Sequence, residues 1–259
     1  MQTAIITGAS SGIGREFAVR LDERYHFDEI WIIARREDRL RELAESLRAK
    51  ARIISLDLSK SESLEKLRNL LAQEKPEIMY LVNAAGFGKF GTVASQTKND
   101  AEDMINVNVR ALTAITHMCE KYMMNGSGII NMASISGYTP LPYLNIYAAT
   151  KAYVLHFSEA LAEELRDRNI TVTAVCPYWV ASEFISVAQN TPEGNAVNNF
   201  KFITYPYSVA NKAISDNNCG KLLSLCGLLP DIIKGLSKFV PVKWQMTVWN
   251  KIRRLGSSQ

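Results

Sequence analysis

The chain has 259 residues, of which 47% are hydrophobic and 22% are charged, and its formal net charge is +4. These values are close to the average for a soluble globular protein, which excludes a disordered, collagen-like or disulfide-scaffold protein. The length suits a single α/β domain whose core needs no metal or disulfide to be stable. A total charge this small gives no reason to expect a nucleic acid partner.

The cysteines and histidines do not form a metal-binding pattern. Cys119, Cys176, Cys219 and Cys226 match neither a CxxC pair nor a Cys/His zinc spacing, and the three histidines are scattered, so we expect no metal. The sequence begins M-Q-T-A-I-I-T-G, without the basic flank and long apolar core of a signal peptide, and no run approaches the ~18 apolar residues of a spanning helix. These features favour a reducing cytoplasm.

Short apolar runs alternate with longer segments of helical periodicity along most of the chain. The runs predict strands at residues 3–7, 30–34, 52–56, 79–82, 129–132 and 171–176. Long helical patterns lie near 100–124 and 146–167, and Ser59 with Glu62 forms the S-x-x-E of a capping box before a shorter helix. Strands that are apolar on both faces and alternate with helices predict a doubly wound, Rossmann-type α/β fold, a parallel sheet with helices on both faces in a single domain.

A glycine-rich segment lies between the first predicted strand and the first helix, reading T-G-A-S-S-G-I-G over residues 7–14. Glycines there permit a tight turn close to a pyrophosphate, and the helix start presents free N–H groups to the anion. A plain glycine-rich turn is the alternative, but the position at the start of a βαβ unit favours dinucleotide binding. The candidate contacts are Gly8, Ser10, Ser11, Gly12, Ile13 and Gly14.

The T-G-x-x-x-G-x-G spacing resembles that of the classical short-chain dehydrogenase/reductase family, over roughly residues 3–184. The resemblance implies a nicotinamide dinucleotide and the interconversion of carbonyl and alcohol groups. Further motifs match: Asp57-Leu58 resembles the adenine-contacting pair, and residues 83–86, N-A-A-G, resemble the N-N-A-G element with Ala84 replacing the second Asn. The implied cofactor contacts are Asp57, Leu58, Asn83, Ala84, Gly86, Pro177, Val180 and Ser182, together with Tyr147 and Lys151.

The end of the second strand bears on which dinucleotide is bound. NAD sites usually place an acidic residue there to accept from the ribose 2′-hydroxyl, whereas this chain has Arg35 and Arg36. Guanidinium groups suit an anionic 2′-phosphate, although both arginines are also compatible with a solvated helix start. Glu37 and Asp38 follow, but acids are common in the first turn of a helix. The sequence therefore predicts NADP(H).

A tyrosine and a lysine occupy positions i and i+4 of a predicted helix, Tyr147 and Lys151. A phenol has a pKa of about 10, and a nearby ammonium together with an oxidised nicotinamide would lower that value enough for proton exchange. Such pairs also arise by chance on helix surfaces. Other residues match the family around this pair, which favours a catalytic site.

The resemblance also implies a serine and an asparagine in the catalytic site. Ser134 lies thirteen residues before Tyr147 and would polarise the substrate carbonyl, with Ser136 as the competing candidate. Asn108 matches the family asparagine that holds a proton-relay water near the lysine, with Asn106 as the competing candidate. A dinucleotide sensor or scaffold on this fold would typically lose the tyrosine or lysine, and an epimerase or dehydratase of the extended family fits the turn spacing less well.

The segment after the sixth strand departs from the family pattern, because Tyr178 stands where a glycine is usual. The resemblance therefore does not predict the shape of the pocket at this position. Residues 183–207 are predicted to form a substrate lid. Aromatic side chains there favour a hydrophobic ketone, steroid-like or lipid-like, or else simply pack the lid onto the body. The lid aromatics are Phe184, Phe200, Phe202, Tyr205 and Tyr207.

The last segment, residues 231–259, carries six basic residues and one acidic residue, so the catalytic domain at 1–230 is nearly neutral. Apolar residues recur there at helical spacing, with Pro241 breaking the run. We interpret it as a basic amphipathic extension that packs on its own domain or on a second subunit, with a homo-oligomer, preferably a dimer, as the expected assembly. Peripheral membrane contact is the alternative.

Overall fold

The protein is described by a computed structural model, which covers residues 1–226, 228–237 and 239–255, apart from the side chains at 228 and 229. Its strands are β1 (Gln2–Thr7), β2 (Glu29–Ala34), β3 (Lys50–Ser55), β4 (Glu77–Asn83), β5 (Met123–Met132), β6 (Thr171–Cys176) and β7 (Leu223–Leu225). They form one parallel sheet in the order β3-β2-β1-β4-β5-β6-β7. The order reverses beside β1 and β4, which in such sheets is where ligands bind, at the carboxyl ends of the strands.

Helices cover both faces of the sheet. They are α1 (Gly12–Arg24), α2 (Glu37–Ser46), α3 (Ser61–Glu74), α4 (Lys98–Ile105), α5 (Leu112–Glu120), α6 (Asn145–Glu164), α7 (Phe184–Gln189), α8 (Pro206–Asn218), α9 (Leu228–Ser237) and α10 (Val242–Ile252). A π-helical segment, Asn106–Ala111, joins α4 to α5. None of the helices in the described part of the chain is long and apolar enough to cross a bilayer.

The sheet is buried on both sides because its strands are apolar at successive positions. In β2, Ile30 and Ile32 belong to the core layer that contains α1 and α8, whereas Trp31 and Ile33 belong to the layer with α3 and α5. Side chains of a strand alternate between faces, so each strand contributes to both layers. Burying one such side chain stabilises the fold by roughly 1.5–3 kcal/mol. The doubly wound, Rossmann-type prediction is confirmed.

The predicted element bounds hold with three exceptions. The capping box at Ser59 is wrong, since Lys60 is the N-cap of α3 and the backbone N–H of Ser59 donates to the Asp57 carboxylate at 3.0 Å. Strand β5 begins six residues earlier than predicted, because residues 124–126 are exposed and the polar and glycine residues at 125–128 interrupt the apolar run by which a strand is recognised. The short strand β7 has no counterpart in the prediction.

The carboxyl-terminal segment packs against the rest of the protein with one face. Pro241 separates α9 from α10, as predicted. The Trp249 indole N–H donates to the Pro142 carbonyl at 2.8 Å. Arg253 is only 3% exposed, lies 3.6 Å from the centre of the Tyr143 ring and donates to the Ala196 carbonyl at 2.7 Å. Helix α10 is therefore fixed to the loops beside the carboxyl ends of the strands.

Candidate active site

A cavity of about 780 Å³ lies at the carboxyl ends of the strands. Its wall combines the turn after β1, the ends of β2 and β3, the loops after β4, β5 and β6, and the helices α9 and α10. It brings together most of the residues predicted from the sequence. Those lining it are Gly8, Ser10, Ser11, Gly12, Ile13, Gly14, Arg35, Arg36, Asp57, Leu58, Ala84, Gly86, Ser134, Tyr147, Lys151, Pro177, Val180 and Ser182.

The glycine-rich turn leaves room for an anion at the start of α1. Gly8 has φ +71°, and a Cβ there would lie 2.7 Å from the Ala85 backbone nitrogen, so a side chain would push the turn away from the loop after β4. Ser11 is the N-cap of α1, but its side chain does not cap the helix. The first N–H groups of this thirteen-residue helix thus have no side-chain acceptor from the cap, which fits a pyrophosphate.

The Ser11 hydroxyl is instead engaged by an arginine. Arg36 Nη2 donates to Ser11 Oγ at 2.7 Å and to Ser10 Oγ at 3.2 Å, so this guanidinium is fixed beside the turn. Arg35 lines the cavity with an exposed side chain. Sequence reasoning missed Glu183, which pairs with Arg36 at 2.8 Å from the other side of the cavity.

Two predicted residues do not line this cavity. Asn83 is buried and its side-chain amide donates to Asn131 Oδ1 at 2.9 Å and to Thr116 Oγ1 at 3.0 Å. The Asn83 side chain therefore turns beneath the site and links the ends of β4 and β5.

Asn108 is the second of these residues, and it is carried by the π-helical segment. Its side chain is fully buried, accepts from the Phe87 N–H at 3.1 Å, and donates to the Phe87 carbonyl at 2.9 Å and to Thr150 Oγ1 at 3.1 Å. A Cβ at Gly86 would lie 3.0 Å from Asn108 Oδ1 and 3.4 Å from Lys151 Nζ. Asn108 thus holds the 86–87 backbone close to the lysine. Extra residues in a π-turn often mark such sites.

Tyr147 and Lys151 lie on one face of α6. The Lys151 ammonium is 5.5 Å from the centre of the Tyr147 ring and donates to the Met132 carbonyl at 2.5 Å. Burial lowers the pKa of Lys151 to about 8, because the charged ammonium loses its hydration. Burial also raises the pKa of Tyr147, and the nearby Ser134 hydroxyl opposes that rise. In the protein without cofactor, the phenol is therefore protonated at neutral pH.

Both candidate serines line the cavity. Ser134 is 8% exposed and lines the cavity with Tyr147, and its oxygen accepts from the Ser136 N–H at 3.2 Å. The Ser136 hydroxyl is buried, lines the cavity and has no hydrogen-bond partner among the residues that the structure describes. Of the two serines, only Ser134 acts on the pKa of Tyr147, which favours Ser134 as the group beside a carbonyl that Tyr147 protonates.

The aromatic residues of the 183–207 segment divide between the cavity and the surface. Phe184 lines the cavity with its ring centre 5.1 Å from that of Tyr147, and Phe200 packs against Trp179 at 5.0 Å. The other three are Phe202, Tyr205 and Tyr207, whose exposed fractions are 75%, 59% and 50%.

Residue 178 and the last two helices complete the apolar wall. Tyr178 is half-buried, lines the cavity and lies 5.7 Å from Trp179, ring centre to ring centre. Sequence reasoning identified the apolar stripe of the carboxyl-terminal helices but missed that they line the site. The lining residues from these helices and the turn between them are Ile233, Leu236, Ser237, Val240, Gln245, Val248, Trp249 and Ile252.

Comparison with known proteins gives matches to one family. The short chain dehydrogenase family matches residues 2–193. The very-long-chain 3-oxoacyl-CoA reductase of Rattus norvegicus is 31% identical over 198 residues, 73% of this chain and 62% of that protein, so the chain spans less than two thirds of that relative's length. A short-chain dehydrogenase from Sphingobium yanoikuyae, solved in complex with NADPH, has a TM-score of 0.77 at 27% identity and covers 93% of this chain and 97% of its own. The bulky-bulky ketone specific alcohol dehydrogenase from Comamonas testosteroni has a TM-score of 0.72 at 25% identity and covers 93% and 95%.

Proposed function

This chain belongs to the short-chain dehydrogenase family, and we propose that it is an NADP(H)-dependent oxidoreductase that interconverts a ketone or aldehyde and an alcohol. The observation that carries the proposal is that Ser134, Tyr147 and the buried Lys151 line the same cavity as the glycine-rich turn, with the Lys151 ammonium 5.5 Å from the centre of the Tyr147 ring. A dinucleotide sensor or scaffold on this fold needs the turn but not these three side chains.

The bound dinucleotide would supply or accept the hydride. The turn of residues 8–14 would bind its pyrophosphate, and Lys151 would hold the nicotinamide ribose. Tyr147 would give its proton to the developing alkoxide while Ser134 donates a hydrogen bond to the carbonyl oxygen. Tyr147 is protonated at neutral pH in the protein without cofactor, as a proton donor in reduction must be. In the reverse direction, the Lys151 ammonium and the Ser134 hydroxyl would stabilise the phenolate, and Asn108 would connect Lys151 to solvent through a water.

We assign the preference for NADP(H) to Arg36. Its guanidinium is fixed by the Ser10 and Ser11 hydroxyls beside the turn that would hold the pyrophosphate, where planar donors suit a 2′-phosphate. The Sphingobium relative, which was solved with NADPH, agrees with this choice.

Arg36→Ala is expected to raise the Kd for NADPH by about tenfold, since a charge-assisted hydrogen bond to the phosphate is lost, and to leave the Kd for NADH nearly unchanged. Both constants are measured by titration of nicotinamide fluorescence. Arg41→Ala is the matched control, because Arg41 lies on α2, whose N-cap is Arg36, and pairs with Glu37 at 2.5 Å. Equal losses for NADPH and NADH in Arg36→Ala would contradict the assignment.

The substrate side of the cavity is apolar, which favours a hydrophobic ketone such as a steroid-like or lipid-like carbonyl. Residues 183–207 would act as the lid. The Comamonas relative is described as specific for ketones with two bulky substituents, and the Rattus relative as a reductase of very-long-chain 3-oxoacyl-CoA. The apolar walls come from Leu141, Leu144, Trp179, Phe184, Leu236 and Val240.

The proposal is tested with a panel of ketones, aldehydes and alcohols followed by NADPH absorbance. Hydrophobic ketones with two large substituents are expected to give the highest kcat/KM, and small polar ketones the lowest. NADPH binding without turnover of any member of the panel would favour the sensor or scaffold instead.

The outer face of the extension at 231–259, which follows the catalytic domain at 1–230, carries exposed apolar side chains. Phe239 is 86% exposed and Trp244 is 70% exposed, at the end of α9 and the start of α10. We place the contact with a second copy of the chain on this face. The basic Lys243 and Lys251 on α10 make an anionic lipid surface the alternative partner.

Phe239→Ser combined with Trp244→Ser is expected to shift the protein from dimer to monomer in sedimentation velocity, because the apolar contact area is removed. Val93→Ser combined with Ile105→Ser is the matched control, since these side chains are 57% and 49% exposed elsewhere on the surface. If the wild type is a monomer and co-sediments with anionic vesicles, the partner of this face is an anionic membrane and not a second copy of the chain.

A further inference from the structure

An ion-pair cluster crosses the mouth of the cavity from the second strand to the predicted lid. Glu183 directly precedes α7, and its Oε2 lies 2.8 Å from Arg36 Nη1 while its Oε1 lies 2.5 Å from Arg39 Nη1. The remaining nitrogens of Arg36 donate to Ser10 and Ser11. The two arginines lower the pKa of the Glu183 carboxyl, so it is ionised at neutral pH. A carboxylate thus occupies an anion site made of two guanidinium groups, one of which is held by two hydroxyls.

We propose that Glu183 is a specificity-determining residue, an internal carboxylate that competes with the 2′-phosphate of the dinucleotide for Arg36. This inference rests on the proposed NADP(H) function. A phosphate bound to Arg36 would lie beside the carboxylate, and two anions at this distance repel each other, so the Arg36–Glu183 pair must open. A dinucleotide with a free 2′-hydroxyl carries no such requirement. Glu183 therefore weakens binding of NADPH and not of NADH.

The residues on either side of Glu183 connect this competition to the rest of the site. Ser182 Cβ would be 3.3 Å from a Cβ placed at Gly12, in the glycine-rich turn. Phe184 lies against the ring of Tyr147. Opening the Arg36–Glu183 pair would therefore move a segment, residues 182–184, that lies against both the turn and the tyrosine. The 2′-phosphate would in this way influence the position of the start of the lid.

The size of the effect follows from the exposure of the pair. The side chains of Arg36 and Glu183 are 39% and 42% exposed, so water screens their attraction and the competition is moderate. Glu183→Gln is expected to lower the Kd for NADPH by about threefold to tenfold while the Kd for NADH changes by less than about twofold.

The experiment measures the Kd of NADPH and of NADH by nicotinamide fluorescence for the wild type and for Glu183→Gln. Glu193→Gln is the matched control. It removes the same charge from the same segment, but Glu193 accepts hydrogen bonds from the backbone N–H and hydroxyl of Thr92 and has no arginine partner within the described residues. This control is expected to leave the ratio of the two constants unchanged. In an Arg36→Ala background, Glu183→Gln is expected to have no effect on the Kd for NADPH, because the guanidinium for which the carboxylate and the phosphate compete is absent.

An unchanged or higher Kd for NADPH in Glu183→Gln would overturn the inference, because Glu183 would then be neutral or would hold Arg36 in place for the phosphate. The two proposals fail separately. If Arg36→Ala weakens NADPH binding but Glu183→Gln does not strengthen it, only the role of Glu183 is wrong. If Arg36→Ala leaves NADPH binding unchanged, the NADP(H) assignment itself is wrong.

Discussion

Tyr147→Phe is expected to lower kcat by about a hundredfold to ten-thousandfold, the usual contribution of a positioned general acid. The substitution removes only the hydroxyl and keeps the ring that packs against Phe184 at 5.1 Å between ring centres. The walls of the cavity stay in place, so the Kd for NADPH should change by less than about twofold. The measurement combines turnover of the best substrate from the panel with the fluorescence titration of NADPH.

The control for this prediction is another tyrosine of α6. Tyr153 is 40% exposed, and its hydroxyl interacts with Thr113 Oγ1 at 2.9 Å, so Tyr153→Phe removes a comparable hydroxyl outside the cavity. It should retain wild-type kcat. If Tyr147→Phe instead kept most of its turnover, another group would have to donate the proton, and Ser134 would be the first to examine.

Lys151→Met is expected to abolish most turnover and at the same time to raise the unfolding temperature of the cofactor-free protein at pH 7. A buried ammonium is costly, and the pKa of Lys151, about 8, lies below the value of about 10.4 for an exposed lysine. That pKa difference corresponds to at most about 3 kcal/mol in the free energy of unfolding. The variant also loses the hydrogen bond to the Met132 carbonyl, which offsets about 1 kcal/mol of this gain. The net gain in the free energy of unfolding should be about 1–2 kcal/mol, or a few degrees.

The stability difference between Lys151→Met and the wild type is expected to depend on pH. Below pH 8, Lys151 is charged in both the folded and the unfolded chain, so the wild type bears the full cost of the buried charge. Between about pH 8 and 10.4 the unfolded chain binds the extra proton, and the wild type gains stability as the pH rises. Methionine does not titrate, so the advantage of the variant should disappear across this window.

Thermal unfolding at pH 7 and at the upper end of that window measures the effect. Lys66→Met is the control, because Lys66 is exposed on α3 and its substitution removes a lysine without changing a buried charge. If Lys151→Met is less stable than the wild type at pH 7, the buried ammonium stabilises the folded protein instead of destabilising it, and the prediction is wrong.

The sequence by itself determined the fold class, the six longer strands and the two motifs of the site. Strands such as β2, in which all residues from 30 to 34 are apolar, must be buried on both faces, and this is a local property of the chain. The turn at residues 8–14 and the spacing of Tyr147 and Lys151 are also local, since each depends on a few consecutive residues in one turn or one helix.

Only the tertiary structure decided which side chains meet in the cavity. Arg36 and Glu183 are remote in sequence, and no periodicity indicates that they pair across the cavity mouth. The same holds for Asn83, which turns beneath the site, and for Trp249, which brings α10 over the loop after β5. These contacts depend on how separate loops and helices pack at one edge of the sheet. That packing results from the burial of apolar surface by all segments of the chain together, so it cannot be predicted from any one segment.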